Sequence, residues 1–172
     1  MTKTTTDTVT RILDWIIDIE DGLVDDPRDP GGLTKYGISQ RAYPDLDIAN
    51  LSEADARAIY VRDFLPPYLA LPWPLSLLCT DAAIQHGPHV PVSHLQQAVN
   101  RVYGRRVLTV DGDLGPLTLT AVRGLPVWPL AMQVVSLRIG HYIGLRTWPV
   151  HGKGWARRVA RLMEVAGREV EK

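Results

Sequence analysis

Among the acidic residues near the amino terminus, Glu20 is the one that continues an apolar stripe. At about 100° per residue it lies within roughly 40° of Val9, Leu13 and Ile16 on a helical wheel. Asp7, Asp14, Asp18 and Asp21 follow the opposite, hydrated side with Arg11. Desolvation disfavours a charged carboxylate and favours the protonated acid, which is what a general acid needs near neutral pH. Glycosidic cleavage uses such an acid. A plainer reading is open at the same position: a glutamate at a helix end that swings to solvent or pairs with an arginine.

Other chemistries find less support. One cysteine, Cys79, excludes an internal disulfide framework, and five scattered histidines make no Cys/His cluster with zinc spacing. Asp111 and Asp113 suggest a calcium loop, but the twelfth position of that loop is Val122 rather than glutamate. No cofactor and no metal are expected. Net charge is zero, yet residues 1–60 hold 6 Lys/Arg against 12 Asp/Glu, and residues 61–172 hold 13 against 7. A neutral chain without a basic motif speaks against nucleic acid.

A set of helices must position these groups. Apolar spacing from Val9 to Asp21 predicts a first helix, closed near Gly22. Asp25–Gly32, with two prolines and two adjacent glycines, predicts turns, and Leu33–Ser39 a short strand or hairpin edge. Ser52 followed by Asp55 resembles a capping pattern for a helix that ends before Pro66. Further helices are expected from Leu75 to Gly87, from about Val92 to Tyr103, and from Pro116 after a glycine-rich turn. Two longer amphipathic helices, near 130–146 and 155–169, finish the chain. At 172 residues and 45% apolar content, one compact, mainly α domain with a small hairpin is expected.

The segment Ile19–Ser39, IEDGLVDDPRDPGGLTKYGIS, resembles the opening motif of the glycoside hydrolase family 108 muramidases, many of them phage endolysins. Glu20, Gly22, Asp29, Pro30, Gly31, Gly32, Thr34, Gly37 and Ile38 fit that pattern, while Asp21 replaces a glycine. The resemblance implies an α+β, lysozyme-like fold. In it Glu20 would protonate the leaving oxygen of the β-1,4 bond between N-acetylmuramic acid and N-acetylglucosamine. Asp29 would stabilise the oxocarbenium charge or activate water, and Thr34 would help hold that water. Asp25 and Asp26 are rivals for the second carboxylate. TDAAIQHG, residues 80–87, resembles the family's cleft helix, with Gln85 where asparagine is usual. Phe64-Leu65 stand where Tyr-Trp is common. Leu95–Asn100 with Val110–Val122 is similar to the family's peptidoglycan-binding half, and Gly152–Val159 to its closing helix.

Aromatic faces suit the apolar faces of sugars, which makes Tyr36, Tyr60 and Trp73 candidates for stacking, with Tyr36 favoured by its place in the motif. Gln85, Tyr36 and Tyr60 are therefore the expected substrate-binding residues. Residues 1–88 are expected to carry catalysis and 89–172 a peptidoglycan-binding-like region within the same domain. Arg157, Arg158, Arg161 and Arg168 form a basic face on the last helix, ordinarily a solvated face and in a minority reading a contact for envelope lipids. Without a signal sequence, such an enzyme would wait in the host cytoplasm as a monomer until a holin or channel gave it access to the periplasm. A lytic transglycosylase and a non-catalytic wall-binding or secretion-assisting protein are the rivals.

Overall fold

The computed structural model describes residues 3–20, 22–24 and 32–168. The chain folds as two compact units, Met1–Pro66 and Pro67–Lys172. Among the described residues both are mainly helical, and the first also holds a small sheet.

In the first unit, α1 spans Lys3–Ile19, followed by strands β1 (Leu23–Val24), β2 (Thr34–Lys35) and β3 (Ile38–Ser39) and helix α2 (Glu53–Asp63). α1 begins well before its apolar stripe, over a threonine-rich turn in which the Thr10 hydroxyl donates to the Thr6 carbonyl. Ile12, Trp15 and Ile16 are buried on its inner face, while Asp14 and Asp18 are exposed. α2 starts at a capping box. The Ser52 hydroxyl accepts from the Asp55 amide at 3.1 Å, and the Asp55 carboxylate accepts from the Ser52 amide. Each donor would otherwise be orphaned at a helix start. Arg57 of α2 then bridges Asp14 of α1 at 2.9 Å and Glu53 of its own helix at 2.8 Å.

The three strands form an antiparallel sheet in the order β1-β2-β3. Leu23 faces Lys35, Val24 faces Thr34, and Thr34 faces Ser39. Between β2 and β3 only Tyr36 and Gly37 intervene, at φ 50° and 74°. Two positive φ values characterise the tight turn whose twist matches the twist of the strands it joins.

The second unit packs α3 (Leu75–His86), α4 (His89–Val102), α6 (Val127–Gly144) and α7 (Trp148–Gly167) together, with the short α5 (Pro116–Arg123) against α4. A 3₁₀ turn at Pro66–Ala70 precedes α3. Pro116 opens α5 at a position where its missing N–H costs nothing. Leu75, Leu78, Leu95, Val99, Leu130, Tyr142 and Leu162 fill the core. Cys79 is completely buried among them, and burial pushes its thiol up to about 12. No described helix is long and apolar enough to cross a membrane.

Candidate active site

Glu20 is the first residue beyond the last turn of α1, its amide still bonded to the Ile16 carbonyl at 2.9 Å. It is half-buried. The wheel position is thus retained, and the side chain turns toward the hairpin. A methyl group added at Gly37 would come within 3.1 Å of Glu20 Cγ, 3.2 Å of its Cβ and 2.6 Å of the Tyr60 hydroxyl. Gly37 therefore answers two demands, a left-handed turn conformation and space for the stem of Glu20.

Tyr60 fixes the other side of this arrangement. Its hydroxyl donates to the Tyr36 carbonyl at 2.7 Å, its ring lies 5.4 Å from that of Phe64, and it is fully buried. A ring with no exposed face has nothing to offer a pyranose, so the expected stacking by Tyr60 gives way to a positioning role. Phe64, at one of the departures from the family pattern, helps pack that ring. Tyr36 itself is half-buried at the tip of the hairpin, with the Lys35 ammonium 5.7 Å from its ring centre. The Lys35 ammonium also donates to the Ala49 carbonyl at 3.0 Å. Thr34, on β2 of the same hairpin, donates its hydroxyl to the Gly32 carbonyl at 3.2 Å. Helix end, hairpin and α2 thus meet at Gly37, with Glu20 and Tyr60 against it and Thr34 and Tyr36 on the same hairpin. Asp29, like Asp25 and Asp26, lies outside the described residues.

The remaining candidate residues belong to the second unit and are engaged in its interior. Asp81 of α3 is fully buried and holds two arginines, Arg138 of α6 and Arg158 of α7, the latter through Nη2 at 2.8 Å and Nε at 3.1 Å. Gln85, one turn further on, accepts through its amide oxygen from Arg138 at 2.7 Å and from the Tyr142 hydroxyl. It is half-buried, and its acceptor is already committed to protein partners. Arg158 is thereby removed from the basic face expected on the last helix, because Asp81 draws it inward to a relative exposure of 8%. Arg157 and Arg161 stay exposed.

Trp73 is likewise engaged, donating its indole N–H to the Ala166 carbonyl at 3.0 Å. His86, His94 and His141 stand ring to ring, 5.0 Å and 5.5 Å apart. Burial, and then the neighbouring cationic and histidine groups, push both His86 and His94 down to about 4.

The sequence pattern did not reveal Arg138 and Arg158 as partners of Asp81. A signal was present for one of them: Val134, Arg138 and Tyr142 recur every fourth residue on the buried stripe of α6, where a lone cation demands an anion. The segments likened to a peptidoglycan-binding half prove to be one hydrogen-bonded device. The Gln96 oxygen accepts from the amides of Asp111 and Gly112. Its nitrogen donates to the Asp111 carboxylate at 2.7 Å, and also to the Asp113 carbonyl and the Thr118 hydroxyl.

A family model described as glycosyl hydrolase 108 matches residues 13–87, which include Glu20, Thr34, Tyr36, Gly37 and Tyr60. Over residues 13–87 the chain is thus similar to the glycosyl hydrolase 108 family. A solved structure of SagA from Brucella abortus is similar over nearly all of both chains. It is 29% identical, with a TM-score of 0.80 and coverage of 94% of this chain and 94% of that one. Among curated proteins, none matches the sequence. The fold is accordingly the mainly α, lysozyme-like one. The glycosyl hydrolase 108 match over residues 13–87 points to a glycoside hydrolase directed at peptidoglycan.

Proposed function

We propose that this chain is an N-acetylmuramidase of the endolysin type. It cuts the β-1,4 bond between N-acetylmuramic acid and N-acetylglucosamine, with Glu20 as the general acid. The observation that carries the proposal is the seat of Glu20: an acid at a helix end, half-buried, its stem held against a glycine of the hairpin that also presents Thr34 and Tyr36. A fixed acid beside a polar hairpin suits protonation of a glycosidic oxygen.

In this mechanism the carboxylic acid of Glu20 donates its proton to the leaving oxygen as the C–O bond opens. Asp29 stabilises the positive charge that develops on the sugar or takes a proton from the attacking water. Thr34 holds that water, and Tyr36 lines the sugar path. The workplace is the peptidoglycan layer, reached by holin- or channel-mediated release.

The test is the release of reducing ends from purified Gram-negative peptidoglycan by wild type and Glu20→Gln, with mass analysis of the fragments. Loss of a general acid costs about 10²- to 10⁴-fold, so reducing muramic ends are expected from wild type and only traces from the variant. Anhydro ends would instead indicate a lytic transglycosylase. Equal inactivity of two folded proteins that still bind wall would indicate a binding protein.

A further inference from the structure

The second unit carries a concave site that the hydrolytic reading does not use. At the carboxyl end of α4 and the loop that follows, a cavity of about 570 Å³ is lined by Asn100, Arg101, Arg105, Arg106, Thr109 and Val110, with Gly104 in its wall. That is within the usual range for a small-ligand pocket. All three arginines are exposed, and among the described residues no acidic side chain lines the cavity. Arg106 reaches only the Thr109 hydroxyl, at 3.5 Å.

Three like charges gathered around one hollow repel one another, and the usual remedy is an interleaved carboxylate. Here the next acid along the chain, Asp111, is directed elsewhere: its carboxylate accepts from the Gln96 side-chain amide at 2.7 Å and from the Asp113 backbone amide at 3.0 Å.

The loop bearing these arginines is held in place from both ends. Asn100 accepts through its side-chain oxygen from the amides of Val107 and Leu108, at 2.7 Å and 2.8 Å, and donates to the Leu108 carbonyl at 2.9 Å. Gln96, one turn back on α4, holds residues 111–113 in the same manner. Arg105 and Arg106 thus sit on a pinned loop that shares the cavity wall with Arg101 of α4, so a ligand meets a backbone already held in place.

We propose that this cavity is an anion site for an acidic peptide, with the guanidinium groups of Arg101, Arg105 and Arg106 gripping its carboxylates and Val110 and Thr109 flanking its backbone. Planar guanidinium forks match carboxylates in pairs. The proposal rests on the peptidoglycan reading, since the glycan of that polymer bears peptide stems with several free carboxylates. It makes the second unit a reader of the peptide, whereas the first unit acts on the sugar.

The test uses the full chain and the stem peptide released from Gram-negative peptidoglycan by amidase digestion, titrated calorimetrically against wild type and a triple Arg101→Gln/Arg105→Gln/Arg106→Gln variant. Far-ultraviolet circular dichroism checks that the variant is folded. Wild type should bind the peptide and lose about tenfold or more in affinity when the peptide carboxyls are amidated, when the arginines are replaced, or when salt is raised to 0.5 M. Binding that ignores amidation or the triple substitution would overturn the site. So would equal competition by inorganic phosphate or by phosphatidylglycerol vesicles, which would make it a phosphate site. Release of reducing ends from peptide-free glycan is measured in parallel. If wild type releases none, the muramidase reading fails while the peptide result stands independently.

Discussion

Gly37 is where backbone and chemistry meet most closely. At φ 74° with the Tyr60 hydroxyl and Glu20 Cγ crowding its missing side chain, Gly37→Ala should cost more than about 1 kcal/mol through backbone strain alone. It should also shift the acid, lowering kcat with little change in KM. Denaturant midpoints and initial rates on the same preparation separate these effects, and a variant with wild-type kcat would show that the seat of Glu20 tolerates displacement. Tyr60→Phe is a milder test of the same seat. Losing the bond to the Tyr36 carbonyl should cost on the order of 1 kcal/mol, with a measurable drop in turnover. At this scale Glu20 was legible because one acid broke the polar register of its helix. Tyr60 was legible only as an aromatic of interest. Its real duty depends on a contact 24 residues away along the chain, which spacing does not encode.

Helices announced themselves where local chemistry closes them. Ser52 and Asp55 marked the start of α2, Gly87 the end of α3 and Pro116 the start of α5. The last helix was misjudged at its start, expected near Trp155 and found at Trp148. Pro149, Gly152 and Gly154 disfavour a helix by propensity, yet the proline falls in the first turn, where it is tolerated. Gly152 is buried beneath the Trp148 ring, 2.7 Å from where a methyl would sit. Strand β1 left no trace in the pattern, because two residues are too few to alternate.

The α4 device makes its own prediction. Asn100→Ala would strand the amides of Val107 and Leu108, at about 1–3 kcal/mol, and amide hydrogen exchange should quicken at those two positions before anywhere else. Uniform exchange across the unit would mean that the loop is held by something other than Asn100.

At the scale of the whole molecule, the buried cluster around Asp81 is sensitive to the loss of any one partner, because the charges left behind have no water to turn to. Breaking one partner of a buried ion pair costs about 3–5 kcal/mol, a large share of a typical total of about 5–15 kcal/mol. Asp81→Asn should therefore lower the urea midpoint steeply, while Arg157→Gln, on the exposed side of α7 next to Arg158, should leave it almost unmoved.

His86 and His94 contribute to the acid limit. His86 and His94 are held near 4 in the fold against an ordinary value of 6.5. Above about pH 6.5 neither form of the chain binds these protons and nothing is lost. Between 6.5 and 4 the unfolded chain takes up protons that the folded chain refuses, so the melting temperature should decline across that window. A His86→Gln/His94→Gln variant should show a shallower decline, and an unchanged slope would assign the acid limit to other groups. Cys79 extends the same economy of burial to oxidation. A thiol that resists ionising and lies out of reach of solvent is a poor nucleophile. The polypeptide should pass between reducing and oxidising surroundings without cross-linking to its neighbours, and a cysteine introduced at the hairpin tip would be the one to take a thiol-reactive dye.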